Sequence, residues 1–244
     1  MRLLKALRDR FGLSRALAER FIAGGRVWVD GERVEDPSIR VKPDSFIYVD
    51  GLYVALNKPE GYVVSRSEKG KPVVYDLLPP DLLMLKPVGR LDMDSQGLLI
   101  LVGDGLLQHR LTHPKYGVRR GYIALLDREW EPELFEKMKE GVESGGDFLR
   151  AVEAFPVSSL EVPENLRDIW LEGIEDPERG IYVELAHGKY REIRRMLWRL
   201  GYDTRLLRRV SYGSILLDVP SGEWRALSMD EVRALYRDAG FQLS

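Results

Sequence analysis

The run Leu98–Val102, LLILV, constrains this chain more than any other stretch. Five consecutive aliphatic residues leave no polar face for water. The run is far too short to span a membrane and lies between Gly97 and Gly103, so it predicts a buried strand. The segment before it, GRLDMDSQ (Gly89–Gln96), is polar and reads as a short loop tied to the core at its far end. A reactive side chain on such a loop is held more firmly than one on a free loop.

Further strands are predicted at Tyr53–Pro59, Gly121–Asp127 and Gly180–Gly188, with a hairpin over Tyr212–Leu227. Helices are predicted over Asp104–Thr112, Glu131–Val142 and Arg191–Tyr202, the last with Ile193, Met196, Leu197 and Leu200 as its apolar stripe. A final helix starts at Ser228, which forms a capping box with Glu231. The first fifty residues read as a separate unit. Leu3, Leu4, Leu7 and Phe11 share one helical face. Ser14 caps a second helix that Gly24 and Gly25 end, and Asp30-Gly31 turns a small hairpin. Regular βαβ units and a phosphate-binding glycine fingerprint are both missing. The expected fold is α+β, with a small helix-helix-sheet domain at 1–50 and a larger domain at 51–244. The larger domain is expected to carry a mostly antiparallel mixed sheet around a central cleft.

There is no cysteine, which excludes disulfides and thiolate metal sites, and three histidines make a histidine-built metal site unexpected. The N-terminus interleaves arginines with apolar residues and has no continuous apolar block, so a cytoplasmic protein without a membrane span is expected. The net charge of −2 hides a segregated chain. His187–Arg209 carries eight Lys and Arg against Glu192 and Asp203, whereas acids dominate Asp127–Arg179. One face of such a chain can bind a polyanion despite an acidic balance.

Four places can carry chemistry. Asp92 sits on the tethered loop, with Asp94 two residues on. Such a carboxylate pair is compatible with glycosidase chemistry, though i and i+2 side chains need not converge. An isolated Asp here would more often be a turn residue paired with Arg90. Lys189 lies where a strand meets a helix and is placed to keep a carboxylate ionised. Arg191, Arg195 and Arg199 are spaced i, i+4, i+8, which reads equally well as a phosphate-binding stripe or a solvated face. Tyr122 at a strand start is ordinarily packing, but its ring could stack on a base. Lys58, before Pro59, reads as a turn residue that could also meet a phosphate.

Together these segments resemble the RsuA-type branch of the ribosomal RNA pseudouridine synthases. GRLDMDSQGLL is similar to that branch's GRLD…TxGLL signature and LNKPEGYVVS to its NKPxG turn. HGKYREIRRM is similar to its basic GKYHQVKRM-like motif, and LTHPKYGVRRGY to the segment before its tyrosine. Residues 1–50 resemble the small RNA-binding domain named after a small-subunit ribosomal protein. The resemblance implies isomerisation of a uridine to pseudouridine without cofactor or metal. It assigns Asp92 as catalytic aspartate, Tyr122 as the base-stacking tyrosine and Lys189 as the cation paired with Asp92. Arg90 would help flip or hold the nucleotide, and Lys58, Arg191, Arg194, Arg195, Arg15, Arg20 and Arg26 would contact RNA. The implied partner is structured ribosomal RNA or a pre-ribosomal particle, bound by a monomer. LNKPEGYVVS reads closer to the small-subunit enzyme, with a large-subunit enzyme or a noncatalytic assembly factor as alternatives. Three positions depart from the branch: Ser95 replaces Thr, Glu192 replaces Gln, and Arg120-Gly121-Tyr122 replaces Lys-x-Tyr. On this reading residues 51–244 are expected to stay folded when residues 1–50 are removed.

Overall fold

The computed structural model describes residues 1–243. The N-terminal unit comprises α1 (Leu3–Phe11), α2 (Arg15–Ala23), β1 (Val27–Val29), β2 (Glu32–Arg33) and β3 (Ile47–Val49). Ser14 caps α2 by accepting from the Leu17 amide. Asp30 and Gly31 both have positive φ and join β1 to β2 in a two-residue turn, which completes a sheet ordered β2-β1-β3.

The rest of the chain first supplies β4 (Tyr53–Lys58), β5 (Lys86–Pro87), β6 (Gln96–Val102), α3 (Gly105–Thr112), β7 (Arg120–Leu126) and α4 (Glu133–Glu140). It continues with β8 (Val142–Ser144), β9 (Asp147–Leu149), β10 (Glu153–Pro156), α5 (Arg167–Trp170), β11 (Gly180–Leu185) and α6 (Glu192–Arg199). Last come β12 (Thr204–Tyr212), β13 (Ile215–Leu216), β14 (Trp224–Ala226) and α7 (Met229–Asp238). One nine-stranded sheet runs β10-β11-β7-β12-β6-β4-β14, with β13 on β12 and β5 on β6. Every pairing in it is antiparallel except β12 with β6. The fold is therefore α+β, with a small helical and sheet unit followed by a large mixed sheet.

The parallel seam between β6 and β12 lies at the centre of the sheet, and Leu98–Val102 are wholly buried there. Gly97 makes the seam possible. Its φ is +104°, and a Cβ on it would lie 2.3 Å from the Arg209 carbonyl oxygen. Between Arg209 and Ser211 a bulge bends β12 beside the same point.

Two expectations need correction. Tyr212–Leu227 is no simple hairpin: Ile215–Leu216 folds back on β12, whereas Trp224–Ala226 crosses to the free edge of β4. Residues 142–149 form a hairpin, β8–β9, in a stretch where none was expected. Its turn, Gly145-Gly146, has positive φ at both glycines.

The two units share buried surface. Phe11 meets the Tyr53 ring edge-on, and Phe46 does the same to Tyr236 of α7. Between them lies Asp104, fully buried, which caps α3 through the Leu106 and Leu107 amides. Its other bonds come from Arg10 of α1 and the Tyr236 hydroxyl. Arg10 also donates to the Ser45 carbonyl at 2.8 Å.

Candidate active site

A cleft of about 320 Å³ opens where the Gly89–Asp92 loop, β7, β12 and the entry to α6 meet. Asp92, Tyr122 and Lys189 all line it, and so does Arg90, which is exposed. Tyr122 is inside the strand, not at its start: on β7 it stands opposite Val183 of β11 and Arg209 of β12. The cleft is lined by five cations (Arg90, Arg120, Lys189, Arg191, Arg209) and two acids (Asp92, Glu192). That excess suits an anionic ligand.

The loop carrying Asp92 is fixed from two sides. From within, the Asp92 carbonyl accepts from the Ser95 amide in a tight turn. From outside, Arg191 donates both terminal nitrogens to the Asp94 carboxylate, at 2.9 and 2.8 Å. Arg194 donates to the Asp94 carbonyl at 2.5 Å. These bonds from Arg191 hold the Asp94 carboxyl below its ordinary range, against the opposing effect of burial. The same guanidinium lies 3.8 Å from Asp92. Arg191 precedes α6 with φ +46°, a conformation that side chains avoid, and the fork onto Asp94 is what such a position gains.

A search against protein families matches residues 52–198 to the RNA pseudouridylate synthase family and residues 1–47 to the S4 domain. The chain belongs to the RNA pseudouridylate synthase family. It is an RNA pseudouridine synthase, an isomerase of the RsuA type with an N-terminal S4 domain, and RNA is its partner. It is 31% identical to an uncharacterized RNA pseudouridine synthase of Aquifex aeolicus, over 99% of this chain and 96% of that one. It is 30% identical to the ribosomal small subunit pseudouridine synthase A of Escherichia coli, over 96% of this chain and all of that one. A crystal structure of a pseudouridylate synthase matches with a TM-score of 0.64 and 28% identity, over 96% of this chain and 99% of the other. Among the described residues, no helix of this synthase is long and apolar enough to cross a membrane.

Several side chains expected at the RNA are engaged inside the synthase. Lys58 is fully buried, and its ammonium donates to the carbonyls of Pro59 (2.9 Å) and Ser95 (2.5 Å). Burial pushes its pKa down to about 8, although Asp92, Asp94 and Glu60 pull the other way. Having no exposed surface, it cannot meet a phosphate; it supports the turn under Asp92. Lys189 pairs with Asp147 of β9 at 3.5 Å and donates to the Phe148 carbonyl at 2.8 Å. Its nearest carboxylate comes from the unexpected β8–β9 hairpin, so Arg191 stands beside Asp92 in its place. Arg195 bonds to Asp147 and to the Ser144 and Tyr190 carbonyls, and Arg194 to the Thr204 carbonyl. Arg191, Arg194 and Arg195 thus knit the start of α6 to its neighbours. In the S4 unit Arg20 is exposed, Arg15 pairs with Glu19, and Arg26 lies over Phe21 beside Asp50.

Glu192 is buried, and its carboxylate accepts from the Lys189 amide at 3.0 Å. Burial pushes its pKa up. Arg120 and Arg209, which line the cleft, were not read as site residues from sequence. For Arg209 the available signal was the strand TRLLRRVSY, where arginines interrupt an apolar pattern, and for Arg120 its place at the start of RGYIALL, two residues before Tyr122.

Proposed function

We propose that this synthase isomerises a uridine of ribosomal RNA, in the small subunit, with Asp92 as nucleophile and Tyr122 as the platform for the extruded base. One observation carries the reading: Asp92 and Tyr122 line the same cation-rich cleft, Asp92 on a loop clamped by Arg191. Breaking C1′–N1 and remaking the bond at C5 needs an ionised carboxylate, a surface that retains the loose base and a group near the C5 proton. Arg191 places a cation 3.8 Å from the Asp92 carboxylate. A tyrosine face retains a base with roughly 1–3 kcal/mol of stacking. Extruding the base costs a few kcal/mol, which phosphate contacts at Arg90 and on the S4 unit offset. The small-subunit assignment is supported by similarity to the Escherichia coli enzyme of that name.

The test incubates the protein with separate small- and large-subunit rRNA transcripts labelled with tritium at uridine C5, followed by mapping of pseudouridine. Release from small-subunit RNA at one position is expected, and Asp92→Asn is expected to abolish it while RNA binding persists. Release confined to large-subunit RNA would overturn the target, and turnover by Asp92→Asn would overturn the nucleophile.

A further inference from the structure

Three buried polar atoms of cleft residues have no hydrogen-bond partner among the described residues: Nη2 of Arg209, Nη1 of Arg120 and Oγ of Ser95. Arg209 is 1% exposed and Arg120 7%. Each guanidinium is clamped at one end. Arg209 Nε donates to the Leu98 carbonyl at 2.7 Å, and Arg120 Nη2 to the Tyr212 hydroxyl at 3.0 Å. The other end of each is idle. Neither makes a salt bridge among the described residues, and a buried cation with idle donors is costly unless a ligand completes it.

Their placement names the ligand. Arg209 is the cross-strand partner of Tyr122, and Arg120 that of Tyr212. Both guanidinium carbons lie beside the Tyr212 ring, 5.1 and 4.9 Å from its centroid. Arg120 Nη1 also borders Gly188 at the opposite lip of the cleft. The idle donors therefore flank the tyrosine on which the base is read to stack.

We propose that Arg209, with Arg120 beside it, donates to the carbonyl oxygens of the target uracil and holds the base while it carries negative charge. This rests on the function proposed above. If C1′–N1 breaks first, its electron pair leaves on N1 and spreads onto O2 and O4. If Asp92 adds to C6 instead, the C5–C6 π pair moves through C5 onto O4. Either way a carbonyl oxygen takes up charge. In the first path Asp92 bonds to C1′ as N1 leaves and is expelled when C5 attacks C1′. In the second C5 displaces N1 from C1′, and Asp92 is then eliminated from C6 as the C5 proton leaves. In both the C5 proton is lost and N1 gains one, so the isomerisation balances with no further reactant. The same donors select uridine over cytidine, whose 4-amino group would place donor against donor.

Arg209→Met, Arg209→Lys and wild type are compared in single-turnover tritium release from the rRNA transcripts, with RNA affinity measured by filter binding and folding by thermal melting. Loss of one preorganised donor to a developing oxyanion typically slows the chemical step by about 10²- to 10³-fold, and that loss is expected for Arg209→Met at nearly unchanged affinity. Arg209→Lys should recover part of it. Transcripts made with 5-fluorouridine give the decisive comparison, read as disappearance of 5-fluorouridine from nuclease digests. Fluorine stabilises the base anion, so the loss should be several-fold smaller there. An equal loss on both RNAs means a structural role and overturns the inference. So does weakened affinity with a shallower salt dependence at an unchanged rate, which would mark a phosphate contact. If Arg209→Met does not fold, Arg209→Lys carries the same two-substrate comparison. Wild type inactive on every rRNA would sink the function proposed above, whereas an active wild type with an unaffected folded variant sinks this inference alone.

Discussion

Arg191 grips Asp94 with two hydrogen bonds and by that grip stands 3.8 Å from Asp92. The two carboxylates of GRLDMDSQ thus divide their work. Asp94 is a structural anchor for the cation, and Asp92 keeps its own carboxylate facing the cleft.

Asp94→Ala should separate these roles. The pair is partly exposed, so the loss of stability should stay within about 1 kcal/mol. Displacing Arg191 and the loop should lower kcat by about 10- to 100-fold, since small misplacements near reacting atoms are costly. Thermal melting and single-turnover tritium release check the two halves. A large loss of stability with an unchanged rate per folded molecule would contradict the division.

Gly97→Ala should be far more damaging than its size implies. The methyl would meet the Arg209 backbone at 2.3 Å, and φ +104° disfavours any side chain. A loss of about 4 kcal/mol or more is expected from urea unfolding, which belongs to the small class of severe single substitutions.

Glu192→Gln should stabilise the protein at neutral pH. Burial raises the folded pKa of Glu192 above its ordinary 4.5, so the unfolded chain ionises more readily than the folded one. The penalty is fully present above the folded pKa and disappears as pH falls below the unfolded one. Glutamine can still accept from the Lys189 amide. A Tm increase of about 2–4 °C at pH 7, as ~1 kcal/mol gives in a chain of this size, should shrink toward zero near pH 4. A constant increase across that range would show that titration of Glu192 is not its cause.

Arg10→Met should cost about 3–5 kcal/mol, because it leaves Asp104 as a buried charge short of its partner. Removing residues 1–50 should therefore unfold or loosen the catalytic part, against the expectation drawn from sequence that it stands alone. A cooperative melt of residues 51–244 near that of the full chain would refute this.

Arg20→Glu should weaken RNA binding without touching the chemical step. Each lost phosphate contact should reduce the slope of log affinity against log salt by roughly 0.7–0.9. Filter binding at several salt concentrations reads this directly, and an unchanged slope would remove Arg20 from the RNA surface.

Much of this molecule is legible in its sequence. LLILV specifies a buried strand because five aliphatic side chains have nowhere else to go. Ser14, Asp104 and Ser228 mark helix starts because a side-chain oxygen can satisfy amides that a helix leaves open. These signals are local, and so is the motif that placed Asp92 on a loop before the central strand. The β8–β9 hairpin was within reach too, through Gly145-Gly146, but its strands are only three residues each and show little alternation.

Partner choice was not legible. Sequence gives Lys189, Arg191, Arg194 and Arg195 as one basic block, and a charge alone does not say which carboxylate it will face. That depends on distances across the fold: Asp147 arrives on a hairpin beside Lys189, Asp94 on a loop beside Arg191. The same holds for Lys58, a surface turn residue by pattern, which the sheet closes over until its ammonium has only carbonyls to meet. Composition and periodicity determined the elements, because burial and capping act within a few residues. Tertiary structure alone decided which charges neutralise one another and which, at Arg120 and Arg209, were left with idle donors, because electrostatic pairing is settled by proximity in space.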